Sequence, residues 1–167
     1  MNFEDEKQRL VGLGFTGFTT ISELVANIDV VPQLPGVYVV MRNNANQPEF
    51  LAQGTGGFFK EKNPNVSIDE LKRNWIGDTS VLYIGKAGSL KGSATLRSRL
   101  RQYMQFGQGK AVGHYGGRYI WQLQDAKDLV VCWKVTLDDE PRVVEKQMIE
   151  EFKAAYGGKR PFANLVD

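Results

Sequence analysis

The chain has 167 residues, of which 42% are hydrophobic and 24% are charged, so it can build a core and is not disordered by composition. No run approaches the roughly 18 consecutive apolar residues of a membrane span, and the acidic start at Glu4–Glu6 is unlike a signal peptide. A single cysteine and a single histidine exclude a disulfide framework, a thiolate zinc site and any site that needs two histidines. We therefore expect one soluble cytoplasmic domain, without a membrane partner, whose chemistry uses tyrosine, arginine, lysine, asparagine and carboxylate side chains.

Basic residues are concentrated in the middle of the chain, although the formal net charge is only +2. Residues 84–118 carry 7 lysines and arginines and no acidic residue. By contrast, residues 1–83 carry 7 basic and 10 acidic residues, and residues 119–167 carry 7 basic and 9 acidic residues. Glycines and aromatic rings interleave with these basic residues, which is typical of a nucleic-acid groove. A solvated basic face is the alternative.

The N-terminal part of the chain predicts helices before the first strand. Residues 2–12 favour a short helix, after which three glycines interrupt any regular pattern. A capping box at Thr20–Glu23 predicts a second helix through Ile28, and two prolines prevent its continuation. Residues 1–34 are thus an N-terminal helical extension, and the apolar run 36–41 predicts a buried strand.

The rest of the chain predicts alternating strands and helices in a single domain. These elements are a helix over 67–75 that starts at a second capping box, a strand over 81–85, a helix over 96–106 capped by Thr95, strands over 118–123 and 129–135, and a helix from Pro141 to about Tyr156. The partly apolar tail 161–165 is expected to pack back onto the domain.

The last predicted helix carries a carboxylate on its apolar stripe. Glu145 follows the helical spacing of Met148, Ile149 and Phe152. A buried carboxylate must be paired, protonated or bound to a cation. The alternatives are a structural ion pair and a glutamate at the edge of the stripe that reaches water.

Two further groups of polar residues could bind phosphate. Arg99 and Tyr103 lie one turn apart and share a helical face, where a fixed guanidinium could bind phosphate through two hydrogen bonds. Tyr83 and Lys86 stand where a predicted strand enters a loop rich in glycine and serine, but no P-loop pattern is present. A solvated arginine face and a buried strand tyrosine beside a turn glycine are the alternatives.

Together these motifs resemble the GIY-YIG nuclease family, and the resemblance spans residues 35–164. The matching segments are Gly36-Val37-Tyr38, Tyr83-Ile84-Gly85-Lys86-Ala87, the helix Leu96-Arg97-Ser98-Arg99-Leu100-Arg101-Gln102-Tyr103, the helical Glu145 and the late Asn164. The resemblance implies an α+β fold with a small, central, mainly antiparallel sheet flanked by helices, in which the two tyrosines lie on adjacent strands. The two tyrosines are 45 residues apart, whereas the family usually has a short connection, so residues 43–79 are an insertion that carries a helix.

The resemblance also implies hydrolysis of a DNA phosphodiester with Mg²⁺ or Mn²⁺, leaving a 5′-phosphate and a 3′-hydroxyl. It implies that Glu145 binds the metal, that Tyr38 is the general base or positions the attacking water, and that Tyr83 contacts this water or a phosphate oxygen. It also implies that Arg99 stabilises the transition state with help from Lys86. Tyr103 would place a ring near the scissile phosphate, and Asn164 would form hydrogen bonds to the active-site end of the last helix. Because the pKa of tyrosine is about 10, Tyr38 can act as a base only if Lys86 or a metal-bound water lowers that pKa. His114, in a glycine-rich loop, is either a further base or an ordinary exposed loop histidine.

Several interpretations stay open on the sequence alone. The basic residues expected to contact DNA outside the centre are Lys91, Arg97, Arg101, Lys110 and Arg118. Cutting both strands with one centre per chain favours a homodimer. Rival hypotheses are a nucleic-acid-binding module of the same fold without activity, and an enzyme that binds a phosphate ligand through the loop 85–92. A restriction-like role and a repair role both fit a nuclease.

Overall fold

The computed structural model describes residues 1–166, which form an α+β fold with an antiparallel sheet flanked by helices, as expected. The helices are α1 (Phe3–Gly12), α2 (Ile21–Ala26), α3 (Ile68–Asn74), α4 (Leu96–Gly107) and α5 (Pro141–Ala155), and the strands are β1 (Thr16–Thr20), β2 (Gly36–Met41), β3 (Val81–Ala87) and β4 (Val130–Val135). Short 3₁₀ helices span Ile28–Val30, Arg118–Gln122 and Ala126–Asp128. Within the described residues, no helix combines the length and the apolar character needed to cross a membrane.

The sheet has the order β1-β4-β2-β3, and every neighbouring pair is antiparallel. All six residues of β2 are buried because this strand lies between two others and is covered on both faces, which explains its uninterrupted apolar run. In the ladder between β2 and β3, Tyr38 pairs with Gly85 and Val40 pairs with Tyr83. The two motif tyrosines therefore lie on adjacent strands.

Two apolar layers cover the two faces of the sheet. On one face, α2, α4 and the C-terminal tail pack through residues such as Leu24, Leu100 and Phe162. On the other face, α1 and α5 pack through residues such as Leu10 and Phe152. The tail returns to the sheet as predicted, because the backbone N–H of Ala163 donates to the carbonyl of Leu82 in the edge strand at 2.8 Å.

Three of the predicted helix starts are confirmed by side-chain caps. Thr20 and Glu23 form a complete capping box at α2, and the Thr95 side chain accepts from the backbone N–H of Ser98 at α4. At α3 only half of the predicted box forms: Ser67 accepts from the backbone N–H of Glu70, whereas the Glu70 carboxylate accepts a hydrogen bond from the Tyr119 hydroxyl.

Two sequence predictions about secondary structure are wrong. The glycine-rich segment after α1 contains strand β1, which is irregular: Phe18 has a φ of 50° and the register with β4 shifts between Thr16 and Thr19. Residues 118–123 were expected to form a strand, but Arg118–Gln122 is a 3₁₀ helix whose last four residues are buried. Polar and apolar residues that mix within so short a segment suggest the alternation of a strand, but here four successive residues are buried in a helical turn, so the pattern is misleading.

Candidate active site

An open cavity of about 600 Å³ lies near the end of β3, where side chains from both faces of the sheet meet. Its functional lining consists of Tyr38, Tyr83, Lys86, Arg99 and Glu145, together with Gln102 and small residues of the loop 88–94. Five of the seven predicted catalytic residues thus surround one space. A second cavity of about 540 Å³ lies between the N-terminus and the loop 43–48 and contains none of them.

The strand pairing places the two tyrosines and keeps room for their rings. Tyr83 and Gly85 are two residues apart on β3, so they face the same side of the sheet, and Gly85 lies opposite Tyr38. A Cβ atom at Gly85 would lie 2.4 Å from Cζ of Tyr38, so only glycine fits there. The ring centroids of Tyr38 and Tyr83 are 6.0 Å apart.

Asn164 holds the strand that carries Tyr83. Its Oδ1 accepts from the backbone N–H of Ile84 at 2.9 Å, and its Nδ2 donates to the backbone carbonyl of Ile84 at 2.9 Å. Because β3 is an edge strand, these backbone groups have no neighbouring strand to pair with. The side chain therefore holds β3 and not, as the resemblance implies, the active-site end of the last helix, and it does not line the cavity.

Arg99 presents a positive charge that no carboxylate neutralises. Its Nη1 donates to the backbone carbonyl of Gly113 at 3.1 Å and to Oε1 of Gln102 at 3.2 Å. Among the described residues, no acid lies within salt-bridge distance of this guanidinium. The half-buried side chain is consequently oriented by neutral acceptors, and its charge is available to an anion in the cavity.

Glu145 reaches the same cavity from α5. The side chain is half-buried, and burial raises the pKa of its carboxyl group, an effect that Lys86 and Arg142 oppose. No ion pair to Glu145 forms within the described part of the chain, so a structural salt bridge does not explain its position. An unpaired, half-buried carboxylate at the edge of an open cavity fits a divalent cation, which lowers the cost of its desolvation.

The donor set determines what kind of metal site the cavity could form. No group of three histidine, cysteine, aspartate or glutamate side chains lies together within residues 1–166. The protein would therefore supply a single carboxylate, with water and substrate oxygens as the other ligands. Mg²⁺ is commonly bound in this way, through one or two carboxylates and substrate phosphates.

Tyr103 lies behind the cavity and not at its surface. It is fully buried, and its hydroxyl donates to the backbone carbonyl of Gly117 at 2.7 Å. Its ring stacks on His114, with a centroid distance of 4.1 Å and an interplanar angle of 8°. The expectation of a ring beside the scissile phosphate is therefore wrong, and Tyr103 instead positions the histidine.

His114 is buried against Tyr38, so the alternative of an exposed loop histidine is wrong. Its Nδ1 lies 3.0 Å from the carbonyl oxygen of Gly116, and its Nε2 lies 3.1 Å from the Tyr38 hydroxyl. Burial, and secondarily the charge of Arg99, lower the pKa of His114 to about 3, so the ring is neutral at pH 7. Because a carbonyl only accepts, Nδ1 carries the proton, and Nε2 accepts the hydroxyl proton of Tyr38.

The tyrosines of the centre are neutral phenols. Burial, followed by the neighbouring Tyr83, raises the pKa of Tyr38 well above its ordinary value, and Arg99 opposes this rise. Burial and the charge of Glu145 raise the pKa of Tyr83 to about 12. Lys86, one of the two groups that could lower the pKa of Tyr38, is not among the groups that shift it. Tyr38 therefore stays protonated, and its hydroxyl donates a hydrogen bond to Nε2 of His114.

The basic residues outside the cavity differ in how they are held. Lys91, Arg101 and Lys110 are exposed. The Arg97 guanidinium donates to the carbonyls of Val31 and Asp29, at 2.8 and 2.9 Å, so it is tied to the N-terminal extension and not free as expected. Arg118 stacks over a tyrosine ring, with Cζ 4.0 Å from the Tyr115 centroid. Of the five residues, Lys91, Arg101 and Lys110 are therefore the most accessible to an external partner.

The buried histidine predicts that acid destabilises the fold. Above pH 6.5, His114 is neutral in both the folded and the unfolded chain; as the pH falls from 6.5 toward 3, only the unfolded chain takes up the proton. We expect this histidine alone to lower the free energy of unfolding by about 2 kcal/mol between pH 7.5 and pH 5. The raised pKa of Glu145 has the opposite sign, because protonation of this carboxyl favours the folded state.

Urea unfolding at the two pH values measures this difference. A His114→Gln variant should lose less stability on acidification than the wild type. An equal loss in the two proteins would show that other groups cause the acid sensitivity.

Comparison of the chain with protein-family models, curated proteins and solved structures finds no match.

Proposed function

We propose that the chain is a cytoplasmic, metal-dependent endonuclease of the GIY-YIG type that hydrolyses phosphodiester bonds in DNA. The observation that carries the proposal is the common cavity of Tyr38, Tyr83, Arg99 and Glu145, which come from two strands and two helices far apart in the sequence. Two phenols, a guanidinium without a counter-ion and an unpaired carboxylate are a suitable set for a phosphate ester and a divalent cation.

The cationic side chains would bind and stabilise the scissile phosphate. Arg99 donates to a non-bridging phosphate oxygen from a guanidinium that Gly113 and Gln102 already hold in place, so little reorganisation is needed as negative charge develops. Lys86 adds a second charge from the same cavity. A Mg²⁺ or Mn²⁺ ion held by Glu145 would supply further positive charge against the phosphate and the departing 3′-oxygen.

The hydrogen bond from Tyr38 to His114 sets the path of the proton. Since the Tyr38 hydroxyl donates to Nε2 of His114, its own lone pairs are available to accept from the attacking water. As the water oxygen forms its bond to phosphorus, the water proton moves to Tyr38 and the phenolic proton moves to His114. The bond from phosphorus to the 3′-oxygen breaks, that oxygen takes a proton from solvent, and the products are a 5′-phosphate and a 3′-hydroxyl.

This path explains how a phenol with a raised pKa can take part. No free phenolate is required, because Tyr38 gives up one proton as it gains another. The imidazolium that forms at His114 is disfavoured by burial and by Arg99 in the free protein, whereas the negative charge of a bound phosphodiester and its transition state would offset both effects. The carbonyl of Gly116 holds the tautomer that leaves Nε2 free to accept.

The test is a cleavage assay with plasmid, linear duplex, single-stranded and branched DNA, and with RNA of matched sequence, each with Mg²⁺, Mn²⁺ or EDTA. We expect metal-dependent nicking whose products carry a 5′-phosphate. Binding without cleavage under either metal would favour the inactive module, and tight nucleotide binding without DNA affinity would favour a phosphate-ligand enzyme. Cleavage of both strands at protein concentrations where the chain is a dimer in sedimentation would support the proposed homodimer.

A further inference from the structure

A tight turn within the insertion exposes an aromatic ring and two lysines. Phe59 and Lys62 form an isolated antiparallel bridge, with the backbone N–H of Lys62 donating to the carbonyl of Phe59 at 3.1 Å. Lys60 and Glu61 between them have φ values of 52° and 62°. Left-handed backbone at two successive residues other than glycine is disfavoured, so contacts elsewhere must hold this turn, and such segments often belong to functional sites. We refer to Phe58–Lys62 as the insertion turn.

The insertion turn is fixed to the connection that carries His114. The Tyr115 hydroxyl donates to the carbonyl of Asn63 at 2.7 Å, directly after the turn. A Cβ atom at Gly57 would lie 2.0 Å from the carbonyl oxygen of Lys110, so the two backbones touch. The ring of Phe59 lies against Gly113, whose carbonyl accepts from Arg99. Gly113 thus links the insertion turn to Arg99 in the cavity.

The exposed surface of the insertion turn is basic and aromatic. Phe58 is 49% exposed, so one face of its ring is accessible from solvent beside the charged residues of the turn. Lys60 and Lys62 are exposed, as is Lys110 across the backbone contact. None of the three lysines forms an ion pair within the described residues. Glu61 is the single acid of the turn, so positive charge is in excess there.

Aromatic contacts preorganise part of this charge. The Lys62 ammonium lies 5.7 Å from the centroid of the Tyr115 ring, and the Arg118 guanidinium lies 4.0 Å from the same centroid. Such contacts orient cations without neutralising them, which leaves them able to contact an anion. A surface that joins unpaired cations to an exposed ring matches the two recognition elements of a nucleic-acid strand, its phosphates and the faces of its bases.

We propose that the insertion turn binds the DNA next to the scissile phosphodiester, with Lys60 and Lys62 on backbone phosphates and Phe58 against a sugar or an unstacked base. The proposal rests on the proposed function, since it places the same DNA across the cavity and the turn. It also gives residues 43–79 a role, because this insertion separates the two tyrosine strands and contacts the loop that carries His114.

Binding without cleavage tests the proposal independently of activity. Affinity for a 24-base-pair duplex is measured by fluorescence anisotropy in EDTA over a series of salt concentrations. The test variant combines Lys60→Asn, which suits left-handed backbone, with Lys62→Gln; the control combines Lys127→Gln with Lys159→Gln, two exposed lysines elsewhere, and changes the net charge equally. A second variant, Phe58→Ala, removes the ring without changing any charge.

We expect the test variant to reduce the slope of log affinity against log salt by roughly 2, as for two lost phosphate contacts, whereas the control leaves the slope unchanged. Phe58→Ala should weaken binding by about tenfold and leave the slope unchanged. Thermal melting checks that each variant is folded. Equal slopes in the wild type, the test variant and the control, together with unchanged affinity for Phe58→Ala, would overturn the proposal.

The proposed function and the insertion turn can fail separately. If the wild type cleaves DNA and the turn variants bind it normally, the nuclease stands and the turn is not an interface. If binding depends on the turn but neither metal supports cleavage, the interface stands and the catalytic proposal fails. A wild type that binds no duplex or single-stranded DNA would overturn both.

Discussion

Glu145→Gln is expected to lower the rate of metal-dependent cleavage by roughly a thousandfold or more, because loss of a metal's charge stabilisation removes several kcal/mol from the transition state. Glutamine keeps the size of the side chain and removes the charge, so the packing of α5 should be unchanged. Affinity for DNA in EDTA should stay within a few-fold of the wild type, since no cation is then present and Glu145 itself repels phosphate.

Mn²⁺ affinity, measured by calorimetry with the cleaved duplex present, gives a readout that does not depend on turnover, and Glu145→Gln should lose it. Glu150→Gln is the matched control. Glu150 is exposed on the same helix, and its Oε1 lies 3.7 Å from Nζ of Lys153. We expect the Glu150→Gln variant to cleave DNA normally. Undiminished Mn²⁺ binding and cleavage in Glu145→Gln would eliminate the proposed metal site.

The strands and helices that could be predicted are those whose sequence pattern, such as an apolar run or a capping box, matches the burial or the helix start seen in the structure. Strand β2 is buried on both faces and has an uninterrupted apolar run, and α2 begins at a complete capping box. Strand β1 gave no such signal, since it pairs only with β4 and contains a residue with positive φ. Its existence depends on a partner more than a hundred residues away, which no local pattern reveals.

The positions of site residues on strands and helices could be predicted from their spacing, whereas the position of a site residue on an irregular loop could not. Helical spacing alone placed Glu145 on the side of α5 that meets the cavity. The position of His114 depends on an irregular loop, and its glycines were the available signal: a Cβ atom at Gly117 would lie 2.6 Å from the Tyr103 hydroxyl. In the structure the glycine lets the backbone pack against a buried ring. The sequence shows the glycine but does not identify the ring.

Tyr38 and His114 differ from Tyr103 in what their loss should do, although all three are buried and in contact. If the phenol and the imidazole form one proton path, Tyr38→Phe and His114→Gln should each lower the cleavage rate by about 10²- to 10⁴-fold. The double variant should be little slower than the slower single variant, because removal of either group already interrupts the path. Single-turnover rates at saturating protein measure these effects without a contribution from DNA binding.

Tyr103→Phe is the control for this pair, since it keeps the ring stacked on His114 and removes only the hydrogen bond to Gly117. We expect it to lower stability by about 1 kcal/mol and to change the single-turnover rate by less than about tenfold. Multiplicative losses in Tyr38→Phe combined with His114→Gln would mean that the two groups act separately. The histidine would then be a packing partner of Tyr103, and the direction of the Tyr38 hydroxyl would have no part in proton transfer.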